Sequence, residues 1–187
     1  KQSGGRGQFG DCWIRLAPKP RGTGYEFINS IKGGVIPTKF IPSVNRGIQE
    51  ASAKGAIAGY RLVDFSAECY FGSYHAVDSS DIAFKLAGSV ALRTVAERCK
   101  PVLLEPVLEL AVTTPDEYLG DIMGDLTSRR GKVQGMDPAE GRTTVRALVP
   151  ESELYKYAAT LRSMTQWRAS HSRKLAGYEP APPEIAK

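Results

Sequence analysis

The sequence predicts an α+β protein of two domains, and three observations carry that prediction. Along all 187 residues the apolar pattern switches repeatedly between a two-residue and a 3.6-residue repeat. Lys100-Pro101 interrupts the pattern near the middle, where proline bars its predecessor from helix. Charge changes at the same point: residues 1–100 carry 14 Lys+Arg against 8 Asp+Glu, net +6, and residues 101–187 carry 11 against 12, net −1. We place the domains at residues 1–100 and 101–187.

The first domain begins with the polar, glycine-rich stretch Lys1–Gly10. Phe9–Leu16 then reads as a strand with Trp13, Ile14 and Leu16 as its apolar residues, ended by Pro18, Pro20 and the run Arg21–Gly24. Tyr25–Ile31 is a second short strand, and Gly33–Pro37 a connection. Gly33 through Lys39 misses the phosphate-binding P-loop because Thr38 stands at the second glycine position. Pro42 suits the first turn of a helix in which Val44, Ile48 and Ala51 recur at helical spacing and which Gly55 ends. Gly59–Phe71 reads as a strand with Tyr60, Leu62, Phe65, Cys69 and Phe71 apolar. Asp78–Lys100 is the longest helix, capped by Asp78 or Ser79, with Asp81 favoured in its first turn and Ile82, Leu86 and Val90, flanked by Ala83, Ala87 and Ala91, as its apolar stripe.

The second domain starts with a strand over Leu103–Val112, with Leu104, Leu108, Leu110 and Val112 on one face. Thr114-Pro115-Asp116-Glu117 reads as a capping box with proline at the first helical position. Leu119, Ile122, Met123 and Leu126 then follow at i, i+3, i+4 and i+7. Lys132–Met136 and Thr143–Val149 are strands joined by the turn Asp137–Gly141. Ser152 caps a second helix with Leu154, Tyr157, Ala158 and Leu161 on its apolar face, and Ala169–Leu175 is a last strand before an extended, mobile tail. Residues 102–176 thus read β-α-β-β-α-β, the split βαβ plan of ferredoxin-like domains. Residues 1–100 form a separate unit of strands and helices around one sheet.

Composition bounds the function. At 42% apolar the chain is globular, without a bilayer-length apolar run or a signal-peptide pattern, so we expect a cytoplasmic protein with no membrane partner. Cys12, Cys69 and Cys99 are odd in number and far apart, no CxxC occurs, and only two histidines are present. Neither a disulfide framework nor a metal site is expected. The chain does not begin with Met and opens inside a polar loop, as an excised piece of a longer protein does.

Two loops carry the functional chemistry. In the first, Ser3, Gly4, Gly5, Arg6, Gly7 and Gln8 combine backbone freedom with a planar cationic fork. Backbone N–H groups and one cation together suit phosphate and base edges; an ordinary hairpin turn is the plainer reading. The second loop, Phe71–Ser80, joins a strand to the long helix and offers Tyr74, His75, Val77, Asp78 and Ser79. A ring for stacking and the N–H groups of a helix start both suit RNA. His75, Asp78 and Ser79 also have the residue types of a hydrolase triad, and His75 with Asp78 those of a metal site. A capping Asp and a turn His explain the same spacing.

SGGRGQFG, YEFINSIKGGVIPTKFIPSV, FGSYHAVDSS and DIAFKLAGSVA closely resemble the fourth domain of bacterial elongation factor G. LLEPVLELAV, GDIMGDLTSRRGKV and YAATLRSMTQ resemble its fifth domain, and the blocks run in the family's order over nearly the whole chain. The resemblance implies a fold like the second domain of ribosomal protein S5, with a left-handed βαβ crossover, followed by a ferredoxin-like domain. It implies the ribosome-binding portion of a translational GTPase that moves tRNA and mRNA. The two loops would form a tip entering the small-subunit decoding site, and the fifth domain would contact the large-subunit factor-binding region. Arg129 and Arg130, within a family block, would suit rRNA phosphate; exposed solvated arginines are the plainer reading.

The resemblance also places GTP, magnesium and the GTPase domains in an N-terminal part of the parent protein. The chain itself has no P-loop and no NKxD, and Asp121–Gly124 fits DxxG by spelling alone, so no cofactor, no catalytic residue and no enzyme activity are expected of it. Two departures stand out: Ala76 where the family commonly has aspartate, and Trp167 where it commonly has glycine. They keep open a diverged paralogue acting in ribosome recycling or protection. A hydrolase built on His75 and Asp78, and a protein-interaction module docking through residues 102–176, are the remaining alternatives.

Overall fold

The computed structural model describes residues 2–3, 6–55 and 59–185, with the backbone alone for 2, 3 and 6. The chain divides into two compact units, Lys1–Pro101 and Val102–Lys187.

In the first unit, β1 (Gln2–Ser3) and β2 (Arg6–Gly7) form a small antiparallel ribbon. The main sheet has β3 (Asp11–Pro18), β4 (Glu26–Asn29) and β5 (Phe65–Ser73) in the order β3-β5-β4. β3 is antiparallel to β5, while β4 is parallel to it across the helix α1 (Ile41–Lys54), which makes β4–α1–β5 a βαβ crossover. The helix α2 (Asp81–Arg98) completes the layer. Ile14, Phe65, Ala67 and Cys69 of the sheet pack with Val44, Ile48 and Ala51 of α1 and Phe84 and Leu92 of α2. Phe84 stacks on Phe40 with centroids 4.9 Å apart. Pro42 lies in the first turn of α1, and Gly55 ends that helix at φ 88, as their chemistry dictates.

Several expectations change. The strand expected over Gly59–Phe71 starts only at Phe65, and Tyr60 is exposed. The buried stripe of α2 is Ala83, Phe84, Gly88, Leu92 and Ala96, whereas Ile82, Leu86 and Val90 are each at least half exposed. The cause is the distance between the helices. A Cβ on Gly88 would collide with the Val44 carbonyl oxygen, and one on Gly47 with that of Lys85. Small residues at the crossing let the backbones touch, so the inner face of α2 looks less apolar than its outer face. The cap of α2 is Ser80, whose Oγ accepts from the Ala83 N–H at 3.1 Å, in place of Asp78 or Ser79.

The second unit has the order β7-β8-β6-β9, all antiparallel, from β6 (Leu104–Pro115), β7 (Lys132–Ala139), β8 (Arg142–Pro150) and β9 (Ser170–Pro180). With α3 (Leu119–Ser128) between β6 and β7 and α4 (Tyr157–Met164) between β8 and β9, this is the ferredoxin-like plan. Leu108, Leu110, Val112, Val145, Ala147 and Val149 line the core face of the sheet against Ile122, Leu126, Tyr157 and Leu161.

Neither expected side-chain cap forms. Thr114 is buried in β6, Pro115 is the last residue of that strand, and a 3-10 turn over Asp116–Tyr118 leads into α3. Asp116 instead accepts from the Thr143 hydroxyl at 2.7 Å. Ser152 sits inside a 3-10 turn, Glu151–Leu154, ahead of α4. The β7–β8 hairpin turns on Glu140 and Gly141 alone, both at positive φ, so its strands are longer than the pattern indicated. The tail is extended but held: β9 runs to Pro180, and Ala181 is buried with its N–H on the Leu103 carbonyl at 2.9 Å.

Gly88→Ala is expected to lower the stability of the first unit by about 1–3 kcal/mol through overpacking. Gly124→Ala, in α3 with nothing within 4 Å of the added carbon, is expected to raise that of the second by about 0.5–1 kcal/mol. Urea unfolding followed by circular dichroism checks both signs.

Candidate nucleic-acid interface

The two glycine- and histidine-bearing loops meet beyond the ends of β3 and β5. Asp78 is the joint. Its Oδ1 accepts from the Gly7 N–H at 3.1 Å, and its backbone carbonyl accepts from the Phe9 N–H at 2.9 Å. Phe9 and Ser79 form a parallel β-bridge. The Ser80 hydroxyl, besides capping α2, donates to Gln8 Oε1 at 3.2 Å. A side chain at position 7 would displace the Asp78 carboxylate from the Gly7 amide, because an added Cβ would lie 2.6 Å from its carboxyl carbon.

Within the second loop, the His75 N–H donates to Ser79 Oγ at 2.9 Å, and the His75 carbonyl accepts from the Ser79 N–H at 3.1 Å. Nδ1 of His75 accepts from the Asp78 N–H at 3.2 Å and lies 3.4 Å from Asp78 Oδ2. The His75 side chain is 55% exposed, and Tyr74 and Val77 are exposed beside it. The Phe9 ring is tilted against His75 at 6.3 Å.

This geometry corrects one expectation. The amides of Gly7, Phe9, His75, Asp78 and Ser79 all donate inside the site, so they form no open cradle for phosphate. The surface offered to a partner consists of side chains on a braced backbone. Gly4 and Gly5 lie outside the described residues. Ser3 and Arg6 pair with each other in the β1–β2 ribbon.

The hydrolase arrangement is not built either. Ser79 Oγ faces the His75 amide and Nδ1 faces the Asp78 amide, so no nucleophile–base hydrogen bond links serine to imidazole. Among the described residues no group of three His, Cys, Asp or Glu is placed to hold a metal ion. Burial pushes the Cys69 thiol up to about 11, and burial with Cys69 and Asp11 nearby pushes Cys12 up to about 12, which keeps both thiols protonated.

Arg129 and Arg130 are braces within the second unit, not free solvated cations. Arg129, its side chain 17% exposed, bonds Asp125 at 2.9 Å and the Glu153 carbonyl at 2.6 Å, with its guanidinium over the Tyr157 ring. Arg130 grips Glu105 through two bonds of 2.8 and 2.9 Å and reaches Glu153 at 2.9 Å. Those bonds hold the Glu105 carboxyl below the usual carboxylate range. Sequence spacing could not pair residues 25 and 23 positions apart. Trp167, 74% exposed, stands at φ 66 directly after Gln166 at φ 51. A bulky side chain is strained there, and Arg162 lies 4.8 Å over its ring.

A family model described as "Elongation factor G, domain IV" matches residues 1–100, and one described as "Elongation factor G C-terminus" matches residues 102–187. A crystal structure of a protein from Thermus thermophilus is similar over 100% of this chain, at 42% identity and a TM-score of 0.87. This chain spans 28% of that chain's length.

Asp78→Ala removes the carboxylate from Gly7 but keeps the backbone bond to Phe9. It is expected to speed amide exchange at Gly7 about tenfold, measured by hydrogen exchange, with α2 protection unchanged. The depressed Glu105 titration stabilises the folded second unit above the ordinary carboxylate pKa. That contribution is lost as pH falls through the folded value, so stability should drop on acidification below about pH 4. Arg130→Met should flatten this dependence and cost about 2 kcal/mol at neutral pH, both read from urea midpoints against pH.

Proposed function

The chain belongs to the elongation factor G family, and on that premise we propose that it is the ribosome-binding C-terminal portion of a translational GTPase that drives tRNA–mRNA translocation. Its tip, formed by Ser3, Gly4, Gly5, Arg6, Gly7, Gln8, Tyr74, His75, Val77, Asp78 and Ser79, enters the small-subunit decoding site. There it loosens the codon–anticodon duplex from the site and blocks backward slipping. The observation that carries this reading is the fusion of the two loops through Asp78. A wedge whose Gly7, Phe9, His75, Asp78 and Ser79 amides donate internally keeps its shape when pressed against folded RNA. The +6 charge of residues 1–100 attracts phosphate, so affinity falls with salt.

The second unit docks at the large-subunit factor-binding region. Arg129 and Arg130 serve that contact by holding the turn between α3 and β7, since their guanidinium groups are already occupied by carboxylates. GTP and magnesium act in N-terminal domains of the parent protein. A paralogue acting in recycling or protection is the second reading, kept open by the departures from the family's usual residues at Ala76 and Trp167. Subunit-splitting assays on the same ribosomes separate the two.

In the full-length protein, Arg6→Ala with His75→Ala is expected to slow single-round translocation about tenfold or more while leaving the circular dichroism spectrum unchanged. Translocation at the parent rate would remove the reading.

A further inference from the structure

The solvent face of β3 and β5 carries an aromatic cluster that the tip does not use. β3 presents Trp13 and Arg15 outward, with Ile14 inward to the core. Opposite them β5 contains a bulge: Trp13 pairs with Phe71 and Ile14 with Cys69, leaving Tyr70 as the extra residue. A bulge of one residue switches the side-chain alternation. Cys69 and Gly72 therefore face the core while Tyr70 and Phe71, adjacent in sequence, both face outward.

Trp13 meets Phe71 edge-on at 5.4 Å and Tyr70 edge-on at 6.4 Å. Edge-on packing leaves ring faces open, and Trp13 and Phe71 are 51% and 46% exposed. Arg15 lies 4.5 Å over the Tyr70 ring and is fixed by Glu68 at 2.8 Å.

We propose that this face is a nucleobase-stacking platform for single-stranded RNA, continuous with the tip. The proposal rests on the RNA-binding reading of the tip and extends it along the sheet. Two observations select RNA over an apolar protein surface. The platform has aromatics and an arginine on the central strand of the sheet and its neighbour, with both helices on the other face, which is the design by which sheets stack unpaired bases. It is also continuous with the loops: the Trp13–Phe71 pair lies two residues from the Asp11–Ser73 pair that closes the sheet at the loops, about 7 Å along the strand. A strand of RNA leaving the tip reaches these rings within one or two nucleotides. Because Arg15 is matched by Glu68, the platform reads bases, and phosphate attraction comes from the rest of the basic unit.

The test uses the 187-residue chain in a Trp167→Phe background, where Trp13 is the remaining tryptophan. The probes are a labelled single-stranded RNA of about 10 nucleotides and an abasic strand of equal length. RNA should quench Trp13 fluorescence and the abasic strand should not. With fluorescence anisotropy as the readout, Trp13→Ala should raise the Kd for RNA about fivefold or more, Trp13→Phe should restore most of the loss, and the salt dependence should keep its slope. Equal Kd values for the alanine variant and its parent, or no quenching on binding, overturn the platform. If Arg6→Ala still weakens binding in that case, the tip reading survives. A Trp13→Ala change that alters only self-association in sedimentation assigns the face to protein contact and overturns the proposal as well. Failure of the parent chain to bind RNA overturns it too, and leaves the tip to be judged by translocation.

Discussion

One carboxylate and its own peptide group hold the functional end of the first unit together. Asp78 takes the Gly7 amide on its side chain and the Phe9 amide on its backbone carbonyl, and these bonds join stretches 71 and 69 residues apart in sequence. Without them the first loop would be a short ribbon of two-residue strands, which is not stable alone in water. Glycine at position 7 leaves the carboxylate the space that a side chain would take. Ser80 then ties the same joint to α2, by capping the helix and donating to Gln8. Local order therefore runs from the helix, through Ser80 and Asp78, into the first loop.

The rest of the unit supplies a firm mount for that joint. α2 is pressed against α1 at Gly47 and Gly88, close enough for backbone to meet side-chain space, and such contacts tolerate little sliding. Ser43 of α1 donates to Asp81 at 2.7 Å in the first turn of α2, one residue beyond the cap. β3 and β5 enter the joint from the other side, through Asp11, whose carboxylate accepts from the Ser73 hydroxyl at 2.8 Å. In the second unit, the arginine–carboxylate network of Arg129, Arg130, Glu105 and Glu153 does the corresponding work, bracing the end of α3 against β6 and the turn before α4.

Where local chemistry decides the structure, the sequence was readable. Pro42 and Gly55 bound α1 as expected, the Leu119–Leu126 repeat buries Ile122 and Leu126, and the β-α-β-β-α-β order of the second unit is realised. The two loops were legible as candidates from residue type and resemblance. Their internal wiring was not, because Asp78 looks like a helix cap until Ser80, two residues on and in reach of the Ala83 amide, takes that role. The inner face of α2 was hidden because close packing selects glycine and alanine where a hydrophobic pattern expects larger residues. The outward ring cluster was hidden by the bulge at Tyr70, which breaks the alternation on which strand faces are read. Arg130 looked free because Glu105 and Glu153 are distant in sequence, whereas Asp125, four residues before Arg129, was a helix-spaced partner that the sequence did offer.

A working tip requires the two loops to be one object in solution. Nuclear Overhauser contacts across the Phe9–Ser79 bridge test this most directly, read between the Phe9 amide and the α-protons of Asp78 and Ser79 in the 187-residue chain. Cross-peaks of the strength seen between paired strands are predicted. Their absence, with the β3–β5 and β6–β8 cross-strand contacts intact, would mean that the loops move independently and that the tip does not exist as described.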